Sequence, residues 1–123
     1  MDNRQEIFAR LKELLVKYSP PFTPKTDNER WYDLYLNKDV EILGRKRKEL
    51  WFAGIIIQKD YVGFYYMPVY AEPEMKALFQ PELLRLLKGK SCFHVKKLDE
   101  ELTSQIRQAL VDGFEFYKKR GWV

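Results

Sequence analysis

Apolar positions recur with a helical period near both ends of the chain and crowd into short runs between them. Ile7, Leu11, Leu14, Leu15 and Tyr18 fall at i, i+4, i+7, i+8 and i+11, one stripe of a helix over about residues 3–18. Asp2 or Asn3 supplies its N-cap oxygen, and Ser19-Pro20-Pro21 ends it. Residues 19–28 hold three prolines and no period, which reads as an extended connector. Tyr32, Leu34 and Leu36 alternate with Trp31, Asp33 and Tyr35, which fits a strand with one wet face or a short helical turn. Val40 and Ile42 alternate in the same way before a turn at Gly44, placing Arg45-Lys46-Arg47-Lys48 in or beside a loop.

Two β-rich runs, residues 50–57 and 61–67, flank Gln58-Lys59-Asp60 and predict a hairpin. Both runs are apolar at successive positions. That suits central strands covered on both sides, or strands that offer rings on one face to a partner or ligand. A second helix is expected over about residues 72–88, tolerating Pro73 early, broken in two by Pro81 and closed by Gly89. Residues 91–95 then alternate as a short strand, Phe93 and Val95 on one side and Cys92 and His94 on the other. Asp99 opens a last helix whose stripe is Leu102, Ile106, Ala109, Leu110, Gly113, Phe114 and Tyr117. Acids at its start and bases at its end complement the helix dipole. Helix, three to five strands around a central hairpin, helix, strand and helix make an α+β fold with a largely antiparallel sheet.

Composition narrows the functional classes. A length of 123 residues suits one domain over 1–123, with the sheet and later helices in 29–123. The net charge is +4, and cutting after Leu50 leaves 11 basic and 9 acidic residues on each side. So even a spread falls short of a nucleic-acid signature, and no nucleic-acid partner is expected. No run approaches the roughly 20 apolar residues that span a bilayer, and the N-terminus lacks a secretory pattern. Together with a single cysteine, Cys92, this points to a cytoplasmic location with no membrane partner.

Candidate chemistry is sparse. Cys92 and His94 share a strand face, but two residues on one strand do not make a metal site or a nucleophile–base pair: the first needs more ligands, the second closer approach. They read as a short strand with a partly buried thiol and an imidazole tip. The Asp99-Glu100-Glu101 triplet is accounted for by capping, and no phosphate-binding or hydrolase motif appears, so no enzymatic activity is expected. Lys88, Lys90, Lys96 and Lys97 flank the short strand, and with the hairpin tyrosines they form either a surface for bases or an anionic ligand or an ordinary solubilising rim. Ten of the nineteen aromatic rings lie between Trp31 and Tyr70.

Three segments, Glu49-Leu50-Trp51-Phe52-Ala53-Gly54, Tyr61-Val62-Gly63-Phe64-Tyr65-Tyr66-Met67-Pro68 and Gly89-Lys90-Ser91-Cys92-Phe93-His94-Val95, resemble the YdhG-like family of small bacterial domains. That resemblance covers about residues 30–123. It implies a frataxin-like, two-layer α/β sandwich with N- and C-terminal helices, and for some members a role as intracellular iron chaperones that uses an acidic ridge on the first helix. Here that helix mixes Asp2, Glu6 and Glu13 with Arg4, Arg10, Lys12 and Lys17. The residues themselves therefore predict no cofactor, and iron enters only through the resemblance. The leading expectation is a non-enzymatic binding domain that uses the sheet face away from the helices, with Tyr61, Tyr65, Tyr66, Lys90 and His94 as candidate ligand-binding residues. The alternatives are the iron chaperone and an interaction subunit or homodimer joined through the aromatic sheet face. Hairpin register decides which rings point outward.

Overall fold

A computed structural model describes residues 3–123, so Asp2, one of the two expected cap residues, lies outside the described part. The other, Asn3, does not cap. Its side-chain amide instead donates to the Lys96 carbonyl at 3.3 Å. Helix α1 (Arg4–Leu15) runs on into a 3-10 turn, Val16–Tyr18, and buries Ile7, Phe8, Leu11, Leu14 and Leu15.

The stretch read as a connector contains a strand, β1 (Thr23–Asp27), at the edge of the sheet beside β2 (Trp31–Leu36). An edge tolerates Pro24 because only one side of the strand needs pairing. The β1–β2 register is irregular between Pro24 and Asp27, and a side chain bridges the gap. Asp33 Oδ1 accepts from the backbone N–H groups of Lys25 (3.2 Å) and Thr26 (2.8 Å), and Oδ2 accepts from Trp31 Nε1 at 2.9 Å. Asp33 is 3% exposed. Gly54 stands opposite it, where a Cβ would come within 2.9 Å of Asp33 Cβ.

Strands β3 (Val40–Ile42) and β4 (Arg45–Arg47) form a separate two-stranded ribbon that buries Val40 and Ile42. The basic cluster therefore lies beside a turn, with Arg45–Arg47 in the strand that follows it. Leu43 and Gly44, both at positive φ (51° and 81°), close a two-residue turn that lets pairing resume at Arg45.

Strands β5 (Leu50–Ile57) and β6 (Val62–Tyr66) make the expected hairpin. Met67, expected to end the second run, opens helix α2 (Met67–Ala71). The helix expected over residues 72–88 forms only as two short pieces divided at Pro81, and it stops at Leu84 instead of running to Gly89. A 3-10 helix, Pro73–Leu78, is followed by the short α3 (Pro81–Leu84) and the two-residue strand β7 (Leu87–Lys88). The residue before each proline, Glu72 (ψ 88°) and Gln80 (ψ 152°), is extended, as the proline ring requires, so both prolines interrupt the helical path. Strand β8 (Cys92–Val95) and helix α4 (Glu100–Lys119) complete the chain, and Asp99 caps α4 by accepting from the Leu102 N–H at 2.8 Å.

The fold is α+β. Six antiparallel strands in the order β1-β2-β5-β6-β8-β7 carry the N- and C-terminal helices, consistent with a two-layer sandwich. The strands not expected at their own positions are β1, β4 and β7, all too short or too polar to show a period. Phe22 stacks on Phe52 at 4.7 Å, with the rings of Tyr18, Phe114 and Tyr117 around them. Two buried hydroxyls tie α4 to the sheet: Tyr66 donates to the Ala109 carbonyl, and Tyr117 to that of Trp51 at 2.7 Å. Burial pushes both phenols well above their ordinary range.

Replacing Asp33 with Ala strands two backbone donors and an indole N–H. Asp33→Ala should therefore cost about 2–4 kcal/mol in urea unfolding and should speed hydrogen exchange at Lys25 and Thr26. Asp33→Asn, which retains an acceptor oxygen, should cost less. Equal stability of wild type and Asp33→Ala would show that the carboxylate does not hold the edge strand.

Candidate binding face

Strand alternation sorts the rings onto two faces. Tyr32, Leu34, Ile55, Val62, Phe64, Phe93 and Val95 are buried in the core with the helices. The residues between them, Trp31, Asp33 and Tyr35 on β2, Gly63 and Tyr65 on β6, and Cys92 and His94 on β8, take the opposite face. Strand β5 would break this pattern but for one irregularity. Leu34 pairs with Ala53 while its neighbour Tyr35 pairs with Trp51, so Phe52 is an extra residue. Phe52 and Ala53 consequently both reach the core, and Trp51 is turned to the open face.

The result is a row of rings across three strands. Tyr35 stacks on Trp51 at 5.8 Å and 7°, and Trp51 on Tyr65 at 5.9 Å and 29°. Lys25 Nζ lies 4.9 Å over the Tyr35 ring and donates to Glu49 at 2.8 Å, a bond that raises its pKa. Tyr65 lies against the bare backbone of Gly63, and its hydroxyl accepts from Gln58 Nε2 at 3.0 Å. At one end of the row a cavity of about 290 Å³ opens among Lys25, Tyr35, Ile42, Arg47, Lys48, Glu49, Trp51 and Met67. Further along the face, Tyr61 and His94 form a parallel pair 3.8 Å apart. Beside His94 a basic cleft is rimmed by Arg85, Lys88, Lys96 and Lys97.

Of the residues singled out in the sequence, Tyr61, Tyr65 and His94 lie together on the open face. Tyr66 does not: it is fully buried on the helix side, because its position on β6 shares the phase of Val62 and Phe64. Tyr66 is thus a core residue and not a ligand-facing one. Lys90 is exposed in the turn between β7 and β8. Tyr35, Trp51, Lys25 and Arg47 were not singled out. The alternation of Trp31, Asp33 and Tyr35 carried the signal for Tyr35, whereas the extra residue at Phe52 hid Trp51.

Cys92 and His94 share the face as expected but look to different partners. Cys92 interacts with the Tyr65 hydroxyl, and burial raises its thiol pKa, keeping it protonated. His94 is committed to the Tyr61 ring. Among the described residues, no group of three or more His, Cys, Asp or Glu could hold a metal ion, and Glu6 of α1 is paired with Arg10 at 3.2 Å. No helix among the described residues is long and apolar enough to cross a membrane. No family model, curated protein or solved structure matches the chain.

Partial burial, then the charges of Lys88 and Lys96, lower the pKa of His94 below the ordinary 6.5. Protonation is therefore harder in the folded protein, so stability should fall as pH drops from about 6.5 through the folded midpoint, and His94 should contribute no slope above about 6.5. An NMR titration of this single imidazole should give a midpoint below 6.5, moving upward in a Lys88→Met, Lys96→Met double variant. A midpoint at or above 6.5 would contradict the arrangement.

Proposed function

We propose that the protein is a cytoplasmic, non-enzymatic binding domain that takes a planar ring-bearing ligand on the open face of its sheet. The observation that carries this reading is the Tyr35–Trp51–Tyr65 row, stacked across three strands on the face opposite Tyr32, Leu34 and Ile55. Rings already stacked on one another and held on a rigid sheet form an aromatic surface that needs little ordering when a planar ligand packs against it. The built-in stack of Tyr61 on His94 lengthens that surface. The protonated, hydroxyl-bound Cys92 supports binding over nucleophilic chemistry.

The YdhG-like resemblance implies iron handling for some members, and Fe²⁺ is best held by clustered oxygen ligands. The carboxylates here are instead engaged singly: Glu6 with Arg10, Asp27 with Lys12, Glu49 with Lys25. The ring row, not iron, therefore carries the proposal. A second copy of the chain is a competing occupant of the same face, but the row lies in the body of the sheet, and the edge strands offer poor pairing because β1 is irregular and β7 has two residues.

Titration with neutral planar probes (adenosine, indole and lumichrome), followed by backbone and indole NMR shifts, tests the reading. At least one probe should give saturable shifts confined to the open-face positions of β2, β5, β6 and β8, weakened about tenfold or more by Tyr65→Ala. Shifts on α1 and α4, or no saturable response at millimolar probe, would overturn it. So would sedimentation showing a dimer that Tyr65→Ala dissociates.

A further inference from the structure

The cavity at the end of the ring row contains two donors with nothing to donate to. Trp51 Nε1 and Arg47 Nε are both shielded from solvent, and neither has a hydrogen-bond partner among the described residues. Both residues line the same cavity. A buried N–H without an acceptor costs about 1–3 kcal/mol, and neither an indole nor a guanidinium can accept. No group among the described residues relieves either, so the acceptor must come from outside, and the shielding means the two side chains must shift to admit it. Trp31, on the same sheet face, provides the contrast: its indole N–H is satisfied by Asp33 at 2.9 Å.

Charge selects the kind of acceptor. Glu49 already neutralises Lys25 through the 2.8 Å bridge. The Arg47 guanidinium lies 5.8 Å over the Tyr70 ring and is in no ion pair among the described residues, and Lys48 beside it is exposed and in none either. Two positive charges thus border the orphan donors without a counter-ion. The planar edge of an arginine matches two oxygens of an oxyanion, and hydrogen bonds to a charged acceptor are about twice as strong as neutral ones.

We propose that this cavity is an oxyanion subsite, in which Arg47 and Trp51 donate to a phosphate or carboxylate carried by a planar ligand whose ring packs against the Tyr35–Trp51–Tyr65 row. The inference rests on the binding role proposed above and narrows its ligand to a planar anion. Trp51 serves both parts, its face to the stack and its edge N–H to the anion. Lys48 supplies long-range attraction from the rim.

Matched probe pairs separate the two ideas: adenosine against adenosine 5′-monophosphate, and benzamide against benzoate. The three tryptophans give three indole N–H signals, and Trp51→Phe identifies one by its loss. At least one anion should bind about tenfold or more tighter than its neutral partner. It should shift the Trp51 indole proton downfield and leave Trp31 in place. Arg47→Met should abolish that advantage without changing affinity for the neutral probe. Lys48→Met, at an exposed position that leaves the core intact, should weaken the anion about threefold. The preferred pair distinguishes phosphate from carboxylate. Equal affinities within both pairs, or an anion advantage unchanged in Arg47→Met, would overturn the subsite while leaving the ring row standing. No binding by any of the four probes would overturn both.

Discussion

The extra residue at Phe52 decides what this sheet presents to the outside. A strand with strict alternation would send Trp51 inward with Ala53 and Phe52 outward. The bulge resets the phase, so Phe52 fills the core against Phe22, at 4.7 Å, while Trp51 emerges between Tyr35 and Tyr65. Its backbone carbonyl still faces the other way, held by the Tyr117 hydroxyl at 2.7 Å. One residue therefore anchors the final helix through its backbone and builds the ring row through its side chain.

Coverage is one-sided for a related reason. The helices α1 and α4 bury the phase of β5 and β6 that carries Ile55, Val62, Phe64 and Tyr66. The opposite phase is protected by its own residues: Asp33 against Gly54 and under the edge strand, and the Tyr65 ring against Gly63. Asp33 shows how a buried charge is accommodated here, with all three of its acceptor bonds made to N–H groups. Arg47 and Trp51 lack that satisfaction.

Much of the architecture was legible in the sequence, and its gaps have identifiable causes. The terminal helices show clean 3.6-residue stripes, such as Leu102-Ile106-Ala109-Leu110-Gly113, and the cap at Asp99 forms as the residue type suggests. The hairpin was marked by Gln58-Lys59-Asp60 between β-rich runs. The edge strand β1 was not, since Thr-Pro-Lys-Thr-Asp has neither period nor apolar residues and is held by Asp33 from the next strand. The helix expected over residues 72–88 does divide at Pro81. It is shorter than its pattern suggested, because Gln80 is extended before that proline and the chain has turned into strand by Leu87. Half of the candidate site was visible: Tyr61, Tyr65 and His94 followed from alternation, but Tyr66 was assigned to the wrong face and Trp51 overlooked. In a run as uniformly apolar as Leu-Trp-Phe-Ala-Gly-Ile-Ile-Ile, a one-residue phase change leaves no trace in composition.

The ring-to-ring proton contacts of Trp51, read from an NOE spectrum of the free protein, test this account most directly. The phase reset predicts contacts from the Trp51 indole to the rings of Tyr35 and Tyr65, and from Phe52 to Phe22 and Tyr117. Contacts from Trp51 to Phe22 or Phe114, with Phe52 against Tyr35, would mean a strand without the bulge. The ring row and its cavity would then not exist.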